Sequence, residues 1–312
     1  MALDIAVQMD PLESITIEGD SSFALMLEAQ NRGHSIFVYH PGALSFQNQS
    51  LTARGRQVEL RDVQGDHFSA RPLEQRDLSG LDVVLMRQDP PFDMGYISAC
   101  HLLEHIHPET LVVNDPVFVR DSPEKLVTLH FSQFMPPTLV SRDVADIRVF
   151  RKEYRDIIIK PLNSNGGEGV FRITPDDENM NALLELYLRL YREPLMVQAY
   201  LPDVRKGDKR IILVDGEPAG ALNRVPAKGE ARSNLHVGGR AEKAELTPHE
   251  REICAALGPF LKEKGLIFVG IDVIGKYLTE INVTSPTGIR EIKAFGGPDI
   301  AALIWDAIEK RL

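Results

Sequence analysis

Asp272, Glu280 and Asn282 place two carboxylates and an amide within eleven positions of an otherwise apolar, β-branched stretch, GIDVIGKYLTEINVTSPTGIRE (270–291). Each such side chain costs free energy inside a sheet unless something satisfies it. Glu280 and Asn282 are two apart, so on a strand they share a face. A three-residue loop of Gly275, Lys276 and Tyr277 would pair Ile274 with Leu278 and set Asp272 opposite Glu280. The three oxygen donors then converge on one face, with Ile271, Val273 and Ile281 turned the other way. Carboxylates and an amide oxygen, without His or Cys, suit a hard cation such as magnesium, whose shell is completed by phosphate and water. The competing reading is three solvated side chains on an exposed sheet face.

Other residues could supply a nucleotide's remaining contacts. Lys160 ends the run DIIIK (156–160), just before the glycine-rich turn NSNGGEG (163–169). A lysine there is expensive to bury unless an anion neutralises it, though it can also snorkel to water. The main chain around Gly166 and Gly167 can approach phosphate oxygens closely. Neither a P-loop nor a dinucleotide fingerprint is present, so taken alone the turn reads as a plain surface hairpin. Arg210 opens one strand and Arg224 ends the next; a hairpin could aim both guanidinium forks at carboxylate or phosphate oxygens. Taken singly, each reads as a surface arginine.

Asp10, Arg87 and Asp89 stand where two strands end, at MDP (9–11) and MRQDPP (86–91). Ligands of open α/β sheets bind there, but Asp-Pro also opens ordinary turns. His101, His105 and His107 have helical spacing, match no zinc motif and read as a solvated helix face.

The elements that must position these groups alternate through the first third. Strands are predicted at 3–10, 34–40, 81–93 and 110–116 and helices at 20–33 and 97–107, implying an α/β fold with a mainly parallel sheet. From about residue 123 the pattern becomes α+β. Strands are predicted at 156–162 and 195–202, a hairpin over 209–225, and helices at 181–191 and 247–264. The chain has 312 residues, 43% hydrophobic and 26% charged, which suits a globular protein of two or three units. A net charge of −10 opposes a broad grip on nucleic acid or anionic membrane. Two isolated cysteines, Cys100 and Cys254, exclude a disulfide framework and a four-thiolate zinc site. No apolar run approaches the ~20 residues that span a bilayer, and MALDIAVQMDP lacks a signal-peptide core. The expectation is a soluble protein of a reducing compartment, the cytoplasm.

The ordered set MDP, MRQDPPFD (86–93), EKL (124–126), KPLNSNGGEGVF (160–171), VQAYLP (197–202), GDKRIILVDGEP (207–218) and EINVTSPTGIRE (280–291) resembles the bacterial glutathione synthetase family of the ATP-grasp superfamily, across essentially the whole chain. The resemblance implies an N-terminal Rossmann-like substrate domain (1–122), a central lid (123–200) and a C-terminal ATP-grasp portion (201–312). It also implies ligation of glycine to γ-glutamylcysteine with ATP through an acyl phosphate; the nearest rival is another ATP-grasp carboxylate–amine ligase. By resemblance, Lys125 and Lys160 contact phosphates, Gln198, Ala199, Tyr200 and Leu201 form the adenine hinge, and Asp208 lies by the ribose. Asp272, Glu280 and Asn282 hold magnesium or manganese, and Arg210 and Arg224 flank the acyl phosphate. Asp10, Arg87, Asp89, Gly238, Gly239, Ser285, Thr287 and Arg290 bind substrate, under a mobile loop at 226–240. The partners implied are small molecules only, in a homo-oligomer such as a tetramer. Glu280→Ala is expected to abolish ATP turnover with the fold intact, and even to stabilise the apo protein.

Overall fold

The structure, a computed structural model, describes residues 2–229, 232–233 and 238–312. Among these residues the strands form three sheets. The first contains β1 (Asp4–Gln8), β2 (Ser35–Gln47), β3 (Ser50–Leu60), β4 (Phe68–Ala70), β5 (Glu74–Asp77), β6 (Val83–Met86) and β7 (Leu111–Val113), in the order β4-β3-β2-β1-β6-β7 with β5 also on β3. Strands β2, β1, β6 and β7 are mutually parallel, as strand–helix alternation predicts. The sheet is not parallel throughout, however: β3, β4 and β5 extend it as an antiparallel arm. The outer strands β4 and β5 are largely exposed, so they carry no apolar alternation to announce them. Asp20 caps the helix Ser21–Asn31 by accepting from Phe23 N–H, and Gly33 ends it at φ +84°.

The second sheet is antiparallel, with β8 (Thr138–Ser141), β9 (Ile157–Pro161), β10 (Phe171–Ile173) and β11 (Leu195–Ala199) in the order β10-β9-β11-β8. Its core is its own: Ile147, Ile157, Ile159, Leu184 and Val197 pack between the sheet and the helices Val144–Tyr154 and Met180–Leu190.

The third sheet holds β12 (Asp208–Val214), β13 (Glu217–Val225), β14 (Arg240–Lys243), β15 (Phe268–Ile274) and β16 (Tyr277–Asn282), in the order β14-β13-β12-β15-β16. Its apolar faces merge with those of the first sheet. Val84 and Leu103 share one cluster with Ile211, Val269 and Ile281, and Ile5 and Met26 share another with Ile212 and Trp305. Asn114 fastens the two sheets. Its Nδ2 donates to Phe268 O and Val283 O, both at 2.8 Å, and its Oδ1 accepts from Phe268 N–H at 2.8 Å. A Thr247–Glu250 capping box starts the helix Pro248–Glu263, within the helix expected over 247–264. No helix among the described residues is long and apolar enough to cross a membrane.

The β15–β16 hairpin corrects one expected pairing. Its loop is two residues, Gly275 and Lys276, so Ile274 pairs with Tyr277 and Val273 with Leu278. A register shift between Asp272 and Val273 then brings Asp272 opposite Glu280. Thr279 is the extra residue, and its hydroxyl donates to Asp272 O at 3.1 Å. The expected juxtaposition of the acids therefore exists, made by a bulge rather than by a longer turn.

Candidate active site

Two cavities meet at one carboxylate. The smaller, about 130 Å³, lies between the second and third sheets and is lined by Ile158, Lys160, Gln198, Leu201, Val204 and Ile274 among others. The larger, about 630 Å³, is bounded by Asp10, Arg87 and Asp89 from the first sheet's strand ends, by Arg210, Arg224 and Asn282 from the third sheet, and by Ser285 and Thr287 beyond β16. Glu280, Asn165 and Gly166 line both.

Strand pairing explains the charge arrangement. Arg210 lies beside Asp272 across β12–β15, and Arg224 beside Asp208 across β12–β13. Arg210 Nε donates to Asp272 Oδ1 at 2.5 Å and Nη2 to Oδ2 at 2.9 Å. Arg224 Nη2 reaches Asp208 Oδ2 at 2.6 Å and Asp272 Oδ1 at 3.0 Å. Burial alone would raise the Asp272 pKa, but Arg210 and Arg224 outweigh it and hold the carboxyl well below the usual carboxylate range. Burial works against the charged form of Arg224 too, and Asp208 with Asp272 reverses that, keeping the guanidinium charged.

Asp208 shows the opposite balance. Burial raises its pKa in spite of Arg224 and of the hydroxyl of Ser233, which donates to Oδ2 at 2.7 Å. Its Oδ1 is buried without a hydrogen-bond partner, at the wall of the smaller cavity. A ligand hydroxyl would satisfy it.

Lys125 and Lys160 flank Glu280 at 3.9 and 3.6 Å. Burial lowers the Lys160 pKa, and Glu280 opposes that shift. Lys125 Nζ also donates to Leu162 O at 3.3 Å and to Ser164 O at 2.5 Å, so it is tied to the root of the glycine turn. Within that turn Gly166 and Gly167 take φ of +61° and +81°, conformations that favour glycine. The turn overhangs both cavities, which a plain surface hairpin would not do.

The donor set suits a hard cation that brings oxygen ligands of its own. Asn282 Nδ2 donates to Gly270 O at 3.1 Å, which leaves the amide oxygen as acceptor beside the two acids. Asp272 is engaged by arginines, and the described residues contain no group of three His, Cys, Asp or Glu side chains that could hold an ion by themselves. A nucleotide's phosphates would have to complete such a site.

Most of the residues singled out in the sequence reach the two cavities. Lys125, Lys160, Gly166, Gly167, Gln198, Ala199, Tyr200, Leu201, Asp208 and Asp272 line the smaller. Asp10, Arg87, Asp89, Arg210, Arg224, Asn282, Ser285 and Thr287 line the larger. Arg290 does not join them: its Nη2 pairs with Asp62 at 2.9 and 3.1 Å, tying the segment after β16 to the turn after β3. Gly238 and Gly239 line neither cavity. Residues 230–231 and 234–237 of the expected covering loop lie outside the described residues. His101 pairs with Glu104, His105 stacks on Phe46 and His107 faces Asp115, so no histidine cluster forms.

Several lining residues escaped the sequence reading. Glu124 lay beside the more conspicuous Lys125, Ser22 read only as helix start, and Ser233 sat in a polar stretch. The apolar walls Ile158, Val170, Val204 and Ile274 are indistinguishable in sequence from core.

The chain matches two family models: Prokaryotic glutathione synthetase, N-terminal domain, over residues 3–120, and Prokaryotic glutathione synthetase, ATP-grasp domain, over residues 124–297. It is 59% identical to the glutathione synthetase of Brucella melitensis biotype 1, covering 100% of both chains. It is also 59% identical to that of Agrobacterium fabrum, covering 99% of this chain and 97% of the relative. Among solved structures, D-cycloserine synthetase superposes with a TM-score of 0.69 at 16% identity, over 99% of this chain and 100% of that one, a likeness of fold alone.

Proposed function

The chain belongs to the prokaryotic glutathione synthetase family, and from that premise we propose how its own residues carry the family's reaction. It joins γ-glutamylcysteine to glycine at the expense of ATP, giving glutathione, ADP and phosphate. The base of ATP occupies the slot beside Gln198, Ala199, Tyr200 and Leu201, with the ribose toward the unpaired oxygen of Asp208. Its phosphates run past Lys125, Lys160 and the Gly166–Gly167 backbone to Glu280. Asp272, Glu280 and Asn282 hold magnesium or manganese, which when bound neutralises charge on the transferring phosphoryl group.

γ-Glutamylcysteine fills the larger cavity against Asp10, Arg87, Asp89, Ser285 and Thr287. Its cysteinyl carboxylate, set between Arg210 and Arg224, attacks the γ-phosphorus and ADP departs. The amine of glycine then attacks the acyl carbon and inorganic phosphate leaves. Fixed guanidinium and ammonium groups stand where negative charge develops in both steps. The three units, 1–122, 123–200 and 201–312, act as substrate domain, lid and catalytic base plate, and the enzyme works as a homotetramer in the cytoplasm.

The observation that carries this reading is the shared wall. A nucleotide slot with two lysines opens onto a substrate-sized cavity with two arginines, and Glu280 stands at the junction. The test is phosphate release from ATP and magnesium with γ-glutamylcysteine and each amino acid in turn. One phosphate per glutathione, with glycine alone as efficient acceptor, supports the reading. Efficient turnover with another amino acid, or with an unrelated carboxylate, would replace it by a different ATP-grasp ligase.

A further inference from the structure

Glycine must arrive at the acyl phosphate as an amino acid, whose amine is an ammonium ion at neutral pH. Four cations stand around its destination, Arg210, Arg224, Lys125 and Lys160, and the carboxylates of Asp272, Asp208 and Glu280 are already paired with them. The approaching ammonium therefore needs a carboxylate of its own.

The carboxylates lining the larger cavity are distributed unevenly. Asp20 and Asp89 surround Arg87, Asp10 accepts from Asp89 N–H at 3.0 Å, and Glu291 lies against Gly19. On the side of the arginines stand Glu280 and Glu124. Glu280 is flanked by both lysines and belongs to the proposed metal set. Glu124 has a different setting. Thr284 Oγ1 donates to its Oε1 at 2.6 Å, which fixes the carboxylate, and its backbone oxygen accepts from Ile281 N–H at 3.1 Å, which anchors it to β16. Burial raises its pKa, while the Thr284 hydroxyl, Lys125 and Arg210 favour the carboxylate; Lys125 itself is directed to Leu162 O and Ser164 O.

We propose that Glu124, held by Thr284, seats the ammonium of the incoming amino acid beside the acyl carbon. This rests on the acyl-phosphate reading above. It names the amine's binding residue, which neither the nucleotide slot nor the metal set supplies. The carboxylate gives the ammonium a place beside the arginines and takes up the proton it must lose before the amine's lone pair can attack the carbonyl, from which phosphate departs.

Glu124→Gln keeps the size and the contact with Thr284 but removes the charge. The glycine KM should rise by roughly tenfold or more, as expected when an ion pair becomes a neutral hydrogen bond, while the KM for ATP and γ-glutamylcysteine stay within about twofold. Hydroxylamine supplies the discriminating readout, because it is a neutral nucleophile at neutral pH and traps acyl phosphates as hydroxamates. Glu124→Gln should form γ-glutamylcysteine hydroxamate at nearly the wild-type rate while failing with glycine, and Thr284→Val should show the same split more weakly. Hydroxamate formation also reports that the variant is folded and activates its substrate. An unchanged glycine KM, or parallel loss with glycine and hydroxylamine, overturns the role of Glu124. Absence of hydroxamate from the wild-type enzyme would instead remove the acyl phosphate on which the proposal rests.

Discussion

Arg210 and Asp272 face each other across β12 and β15 and join through two hydrogen bonds, Nε–Oδ1 at 2.5 Å and Nη2–Oδ2 at 2.9 Å, with both side chains buried. The pair sits between the cavities, so it is both a structural clamp and part of the proposed chemistry. Removing one member leaves the other charge uncompensated in a low-dielectric setting. Arg210→Ala should therefore destabilise the folded protein by about 3 kcal/mol as well as abolish turnover, since Arg224 alone replaces little of the bidentate contact. Urea unfolding checks this, and a loss below about 1 kcal/mol would show the pair to be dispensable to the fold.

Glu280 is set in an apolar stretch of the sequence but among charged side chains in the fold. It is the counter-charge of Lys125 and Lys160, at 3.9 and 3.6 Å. Taking it away leaves two buried ammonium groups facing each other. Glu280→Ala is expected to lose ATP turnover and to lower apo stability, reversing the expectation of a stabilised apo protein. A raised melting temperature in the variant would contradict this.

Acid titration separates Asp272 from the other buried acids. Its folded pKa is depressed below its unfolded value, so its stabilising contribution is complete above the ordinary carboxylate range and is lost as pH falls through the folded pKa. Asp208 has a raised pKa and the opposite sign: it costs stability at neutral pH, and that cost is relieved by protonation on acidification. The stability gap between wild type and Asp272→Asn should be flat above about pH 5 and shrink toward pH 3. A gap that widens on acidification would contradict the arginine clamp.

How much of this was legible follows the physics of each signal. The convergence of Asp272, Glu280 and Asn282 is readable because oxygen donors stand out in a β-branched run, and strand periodicity puts Glu280 and Asn282 on one face without any knowledge of the loop. The turn itself was misread, since the bulge at Thr279 compensates for a loop one residue shorter, and no local residue type announces a bulge. Arg290 was placed in the site by its position in a motif, yet its side chain turns to Asp62, a contact 228 positions away. The antiparallel arm β3–β5 went unread because its outer strands bury little.

Lys160 is 6% exposed, and burial lowers its pKa against the pull of Glu280, which favours its reaction as an amine over that of surface lysines. A nucleotide-shaped amine reagent should label Lys160 ahead of exposed lysines, and magnesium-ATP should protect it, as read by peptide mass spectrometry. Labelling indifferent to nucleotide would remove Lys160 from the phosphate path.

The cysteines offer a control on the whole account. Burial pushes the thiols of Cys100 and Cys254 up to about 12, so neither is a thiolate at neutral pH. A thiol reagent should find almost no reactive cysteine in the native enzyme and two after unfolding, with the Cys100→Ala/Cys254→Ala double variant still active. Rapid native labelling coupled to loss of turnover would place a cysteine in the chemistry, where nothing in the structure puts one.

Manganese binding observed by electron paramagnetic resonance, with and without a non-hydrolysable ATP analogue, addresses the shared-wall geometry directly. The wild type should hold the ion tightly only when the analogue is present, and Asp272→Asn, Glu280→Gln and Asn282→Ala should each weaken it by roughly tenfold or more. Three variants that retain wild-type affinity for the ion–nucleotide pair would show that the ion is held elsewhere.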